Sequence, residues 1–89
     1  ITSAYICDLL SWVMAHAHEG AVWITVQAHL NVVAIASLLN LACVVVPESI
    51  EIPPATLAVA QEKGICMMSA PCTSYGAAMV LCHLGVCEG

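Results

Sequence analysis

The chain has 89 residues, of which 62% are hydrophobic and only 8% charged, with a formal charge of −5 and Lys63 as the single Lys or Arg. One cation lines no nucleic-acid groove and neutralises no string of phosphates, so nucleic acid is excluded as a partner. A domain of this length buries only ~60% of its unfolded surface, and this one carries more apolar surface than one small core hides, which predicts a homo-oligomer.

Short β-branched runs alternate with longer segments of helical character. Ser3–Cys7 reads as a first strand, and Asp8 stands where it can cap a helix over Leu9–His18. In that helix Leu10, Val13, Met14 and Ala17 recur at i, i+3, i+4 and i+7 as the inward stripe, which leaves Trp12 and His16 on another face. Trp12 is therefore a candidate subunit contact. Gly20 ends the helix and Val22–Val26 forms the second strand. Leu30–Leu39 reads as a helix apolar almost all round, relieved only by Asn31 and Ser37, with Asn40 as its C-terminal cap.

Cys43–Val46 is the third strand, and Pro53-Pro54 sets the entrance of a helix over Pro54–Lys63, closed by Gly64. Ile65–Met68 is the fourth strand. Thr73 or Ser74 caps a last helix, Ser74–Leu84, stopped by Gly85. Its inward stripe reads as Tyr75, Ala78, Met79 and Cys82, with Ala77, Leu81 and Leu84 as a second apolar surface. Leu81 and Leu84 therefore join Trp12 as interface candidates. The βαβαβαβα order predicts right-handed crossovers and a three-layer α/β/α sandwich on a mainly parallel four-stranded sheet. The opening at Ile1, almost directly into a strand, suggests a single domain that lacks an N-terminal portion.

The longest apolar stretch, Ala28 to Val46, has nineteen residues, enough to touch the length of a membrane span. It contains His29, Asn31, Ser37 and Asn40 and has no flanking Lys or Arg, so a helix, an Asn cap and a buried strand explain it better. No membrane partner is expected. The six cysteines include no Cys-x-x-Cys pair, and Cys43 and Cys66 fall inside expected buried strands. They read as apolar packing residues in a reducing, cytoplasmic setting, with no metal site and no cofactor. His16 and His18 point about 160° apart on a helix and do not make a ligand pair; His29 and His83 are isolated.

Polar residues follow the apolar runs: Asp8 after the first, Gln27, His29 and Asn31 after the second, Glu48 after the third and Ser69 after the fourth. Parallel strands bring such residues to one rim of the sheet, outside the carboxyl ends, where open α/β sheets bind ligands. Gln27, His29 and Asn31 supply hydrogen-bonding groups there, and Asp8 or Glu48 selects a cationic or hydroxylated moiety. Caps and turns recruit the same residue types, so each of these also has a purely structural use. The phosphate-binding patterns Gly-x4-Gly-Lys-Ser/Thr and Gly-x-Gly-x-x-Gly are missing, which leaves backbone N–H groups at helix starts as the only receptors for an anionic ligand.

Three segments, Ala21-Val22-Trp23-Ile24-Thr25-Val26-Gln27-Ala28-His29-Leu30-Asn31, Ala42-Cys43-Val44-Val45-Val46-Pro47-Glu48 and Ala58-Val59-Ala60-Gln61-Glu62-Lys63-Gly64-Ile65, resemble the DRTGG domain. The opening Ile1-Thr2-Ser3-Ala4-Tyr5-Ile6-Cys7-Asp8-Leu9-Leu10-Ser11 resembles the Thr-Gly-Gly-Tyr-Val-Cys-Asp-Leu-Leu-Ser stretch of small stand-alone members. The chain is thereby similar to the N-terminal domain of HPr kinase/phosphorylase, and stand-alone members often carry the label of a serine kinase of the HPr protein. Ser3-Ala4 replaces the paired glycines, and the Asp-Arg-Thr-Gly-Gly string itself is not present. The kinase activity belongs to a separate P-loop domain, for which this chain has no loop, no second lysine and no spare residues.

The resemblance implies a non-catalytic regulatory or ligand-sensing role, with a small metabolite or a partner protein bound. Two alternatives stand beside it. One is a purely structural oligomerisation domain; the other is an enzyme using His29 with Asp8 or Glu48 as acid and base, for which the sequence specifies no complete catalytic set.

Overall fold

The computed structural model describes residues 1–88. Four parallel strands, β1 (Ser3–Ile6), β2 (Ala21–Ile24), β3 (Cys43–Val46) and β4 (Met67–Ser69), alternate with four helices, α1 (Leu10–His16), α2 (Leu30–Leu39), α3 (Pro54–Glu62) and α4 (Ser74–His83). The strands lie side by side in chain order, with Ser3 beside Ala21, Val22 beside Cys43 and Val44 beside Met67. The expected alternation and parallel sheet are therefore present. Ala28 to Val46 is broken at Asn40, which adopts the left-handed conformation (φ 54, ψ 48) after α2 and turns the chain into β3. No helix of the described residues is long and apolar enough to cross a membrane.

Sequential strand order has a consequence for layering. Crossovers of one hand between successive neighbours put their helices on one face of the sheet, and α1, α2 and α3 do pack side by side there. The side chains of Trp23, Val44 and Val46 meet Val13 of α1 and Val32, Ile35 and Ala36 of α2 on that face. One residue along each strand, Val22, Ile24 and Cys43 point the other way, as the period of two requires. Of the four helices, α4 is the one on that second face, packing on β1 and β2, with Cys72 of the preceding loop beside it. Parallel sheets are ordinarily covered on both faces, yet here Ile6 and Met68 stay 47% and 48% exposed.

Three sequence expectations are corrected. α4 turns Ala77, Ala78 and Leu81 toward Val22, Ile24 and Cys43, while Tyr75 is 75% exposed and Met79 also faces solvent. Small Ala77 and Ala78 let the helix approach the sheet closely, and a tyrosine in their place would hold it off. Met14 of the α1 stripe is exposed, so Val13 is buried with half-buried Leu10 and Ala17 beside it. Cys66 precedes β4 and is exposed, whereas Cys43 is buried as expected.

Local signals account for most element ends. Pro54 occupies the first turn of α3, where its missing N–H costs nothing. The Thr73 hydroxyl accepts the Gly76 N–H at 3.0 Å and caps α4. Gly64, at φ 71, follows α3 in a conformation that side chains disfavour.

Candidate functional site at the carboxyl rim of the sheet

Asp8 follows β1, but it is not the cap of α1: Leu9 takes that position and no side chain caps the helix. The Asp8 carboxylate reaches sideways across the rim instead. Its Oδ1 accepts the Thr25 hydroxyl at 2.8 Å and the Val26 N–H at 2.9 Å. Thr25 is buried just past β2, and its Oγ1 accepts the Gln27 N–H at 3.2 Å. Gln27 then spans back, its Nε2 donating to the Asp8 carbonyl at 3.4 Å. A carboxylate accepting two donors is worth more than a neutral pair, so this clasp fixes the ends of β1 and β2 relative to one another.

The clasp continues outward to His29. Its Nε2 lies 3.1 Å from Gln27 Oε1, and because an amide oxygen only accepts, Nε2 donates and Nδ1 is free of that contact, an acceptor in the neutral ring. His29 is also the N-cap residue of α2, with extended backbone and no side-chain cap. Beside it lies a shallow depression, largely open to solvent, lined by His29, Leu30, Asn31, Pro53, Ala55 and Thr56. The starts of α2 and α3 thus border one space. α3 likewise begins at Pro53 with no side-chain cap; Pro53 and Pro54 carry no N–H and the Thr56 N–H bonds the Pro53 carbonyl, so α3 offers the space only the Ala55 N–H, while α2, whose Val32 N–H bonds the His29 carbonyl, offers those of Leu30 and Asn31.

Of the residues singled out in the sequence, Asp8, Gln27 and His29 are joined by hydrogen bonds, and Asn31 lines the depression next to them. Glu48 and Ser69 serve a second clasp at the ends of β3 and β4. Glu48 and Ser49 both take positive φ (67 and 55), and their N–H groups donate to the carbonyls of Cys72 and Ala70 at 2.7 and 2.9 Å. The Ser69 hydroxyl donates to the Ile50 carbonyl at 2.8 Å. Its side chain is thereby committed to holding the loop between β3 and α3.

Sequence reasoning missed Thr25 and Thr56. Both are buried, Thr25 as the hub of the rim clasp and Thr56 in the wall of the depression. The available signal was position: Thr25 ends a run of purely apolar strand residues, where a β-branched hydroxyl passes for packing. Among the described residues no group of three or more His, Cys, Asp or Glu gathers around one point. Every buried side-chain nitrogen and oxygen there has a hydrogen-bond partner.

The interface candidates separate as well. Trp12 is 52% exposed and stacks on His16 with ring centroids 4.2 Å apart and planes 20° apart. His16 Nδ1 donates to the Trp12 carbonyl at 2.9 Å, which holds the two rings in register. Leu9, also exposed, falls on the same side of the helix at i, i+3, i+7 spacing. Leu84 projects from the end of α4 at 74% exposure, while Leu81 packs against the sheet.

Compared with family models, with curated proteins and with solved structures, the chain finds no significant match.

Proposed function

We propose that this chain is a non-catalytic regulatory module that binds a small polar metabolite at the carboxyl rim of its sheet and self-associates through exposed apolar surface. The observation that carries the reading is the depression bordered by the uncapped starts of α2 and α3, with His29 held at its edge by the Gln27–Asp8 clasp. The α2 start supplies the Leu30 and Asn31 N–H groups, α3 adds that of Ala55, and the neutral His29 ring supplies an acceptor at Nδ1. A metabolite with an oxygen-rich group and a hydroxyl or N–H donor satisfies both. His29 is bonded to an amide and not to a carboxylate, so it has the partner of a positioned binding group more than that of an activated base.

The likeness of residues 21–31, 42–48 and 58–65 to the DRTGG domain supports the regulatory side of this reading. Self-association is supported by the exposed Leu9, Trp12 and Leu84 in a chain with mean hydropathy +0.98. Six free thiols are compatible with action in a reducing cytoplasm. If the rim binds nothing, the same exposed surface favours the second reading, a structural oligomerisation domain.

A thermal-shift screen against nucleotides, sugar phosphates and dicarboxylates separates the two. The regulatory reading predicts that one class raises Tm in a dose-dependent way and that His29→Ala abolishes the rise. Stabilisation by no class, or a rise unchanged in His29→Ala, rejects the rim as a binding site.

A further inference from the structure

We infer that Cys43 and Cys66 form a modification site, a cross-strand dithiol that a low-molecular-weight disulfide such as glutathione disulfide converts into an intramolecular disulfide. The thiols lie on neighbouring chain segments with Sγ atoms 3.3 Å apart, and the one Cys43 S–H has Cys66 Sγ and the Val44 carbonyl, at 3.7 Å, as its alternative acceptors. The parallel register that sets Val44 beside Met67 sets Cys43 beside Cys66 one step earlier, and the Val44 N–H bond to the Cys66 carbonyl at 2.9 Å holds that step. Neighbouring strands stand about 4.8 Å apart, inside the Cα separation that a disulfide spans, so closure needs side-chain rotation and not movement of the sheet. No other pair of cysteines is joined by a thiol–thiol contact among the described residues; Cys7 and Cys87 direct their thiols to backbone carbonyls.

Unequal exposure sets the order of events. Cys66 is open to solvent on the side of the sheet that α4 covers incompletely, whereas Cys43 is buried among Val22, Ile24 and Ala77. Burial, with the neighbouring Cys66 sulfur, pushes the Cys43 thiol up to about 12, so it remains protonated and is not the first nucleophile. Cys66 gives its proton to solvent and attacks one sulfur of the oxidised tripeptide, whose S–S bond breaks and releases one glutathione thiolate. Cys43 Sγ then attacks Cys66 Sγ, the mixed disulfide breaks, and the Cys43 proton goes to the second departing thiolate. Two protein thiols and one glutathione disulfide become one protein disulfide and two reduced glutathiones. The product ties the edge strand β4 to the central strand β3.

The test uses the full chain and a variant keeping only these two thiols (Cys7→Ser, Cys72→Ser, Cys82→Ser, Cys87→Ser), each equilibrated against a series of reduced-to-oxidised glutathione ratios. Remaining thiols are alkylated after acid quench, and the products are mapped by peptide mass spectrometry. The inference predicts a Cys43–Cys66 linked peptide about 2 Da lighter than the sum of its reduced halves, and a Tm higher by roughly 10 °C in the oxidised form. It also predicts that Cys66→Ser, in the otherwise native chain, shows neither. A stable glutathione adduct on Cys66 without closure, or both thiols still reduced at the most oxidising ratio, overturns it. Should the four-serine variant fail to fold, the linked peptide is sought in the native chain, where its absence is equally decisive.

Discussion

Trp23 is the largest fully buried side chain, and its one polar atom is satisfied by the Cys7 carbonyl, 2.8 Å from the indole N–H. The bond joins the middle of β2 to the residue after β1, so an apolar core position also fixes where the rim loop starts. Trp23→Phe keeps the packing of a ring and loses the donor; it is expected to cost about 1–2 kcal/mol in urea denaturation. Asp8 acts through charge at the same place. Asp8→Ala leaves the Thr25 hydroxyl and Val26 N–H without their acceptor and is expected to lower stability by about 1–3 kcal/mol, whereas Asp8→Asn keeps an oxygen there and loses less.

Cys43 makes a residue-scale prediction about pH. Its folded-state value of about 12 lies above its ordinary value of 9.0, so above pH 9 the unfolded chain releases a proton that the folded chain retains. The stability associated with the protonated thiol is fully present below pH 9 and is lost as pH rises toward 12. Denaturation midpoints of Cys43→Ala should therefore fall less steeply over that interval than those of the native chain, and parallel curves would contradict the assignment.

At the scale of elements, the end of α2 and the starts of α3 and α4 were legible because their determinants are local; the end of α1 was not, since the helix stops at His16 with Ala17 as its C-cap, short of Gly20. Asn40 tolerates the left-handed turn, Pro54 has no N–H to lose in a first turn, and Thr73 caps its own helix. Each gives a test by thermal or chemical denaturation. Thr73→Ala should cost about 1 kcal/mol, and Asn40→Ala should destabilise while Asn40→Gly does not, since only a side chain that tolerates positive φ suits the position. The inward face of α4 was not legible. A helix apolar on most sides has no preferred rotation of its own, and the sheet selects Ala77 and Ala78 because they allow close approach. Asp8 failed as a cap for a related reason: a carboxylate after a strand suits either use, and the outcome rests on Thr25, seventeen residues away in sequence.

For the whole molecule, strand order decides what the sequence left open. A sheet with strands in the order β1-β2-β3-β4 never reverses direction, so it has no crevice of the kind that opens where crossovers diverge to opposite faces. The rim depression lies instead between the starts of two helices on one face, which is why Asp8, Gln27, His29 and Asn31 gather near it while Glu48 and Ser69 tie down another loop. A sequence shows which residues follow strands; it does not show whether neighbouring crossovers leave space between them. The same order leaves one sheet face with a single helix, and the exposed Ile6, Met68, Trp12 and Leu84 add to the unpaired apolar surface. Light scattering at micromolar concentration should find an oligomer, with Trp12→Ser shifting it toward monomer; a monomeric native chain would remove the self-association reading.

The most direct measurement of the central claim is amide chemical-shift mapping by NMR during titration with the compound class that raises Tm. A ligand seated at the rim is predicted to move the Leu30, Asn31, Ala55 and Thr56 resonances together, with a common saturation curve that His29→Ala weakens at least tenfold. Shifts confined to α4 and the opposite sheet face, or a titration with no saturable change at those four amides, would contradict it.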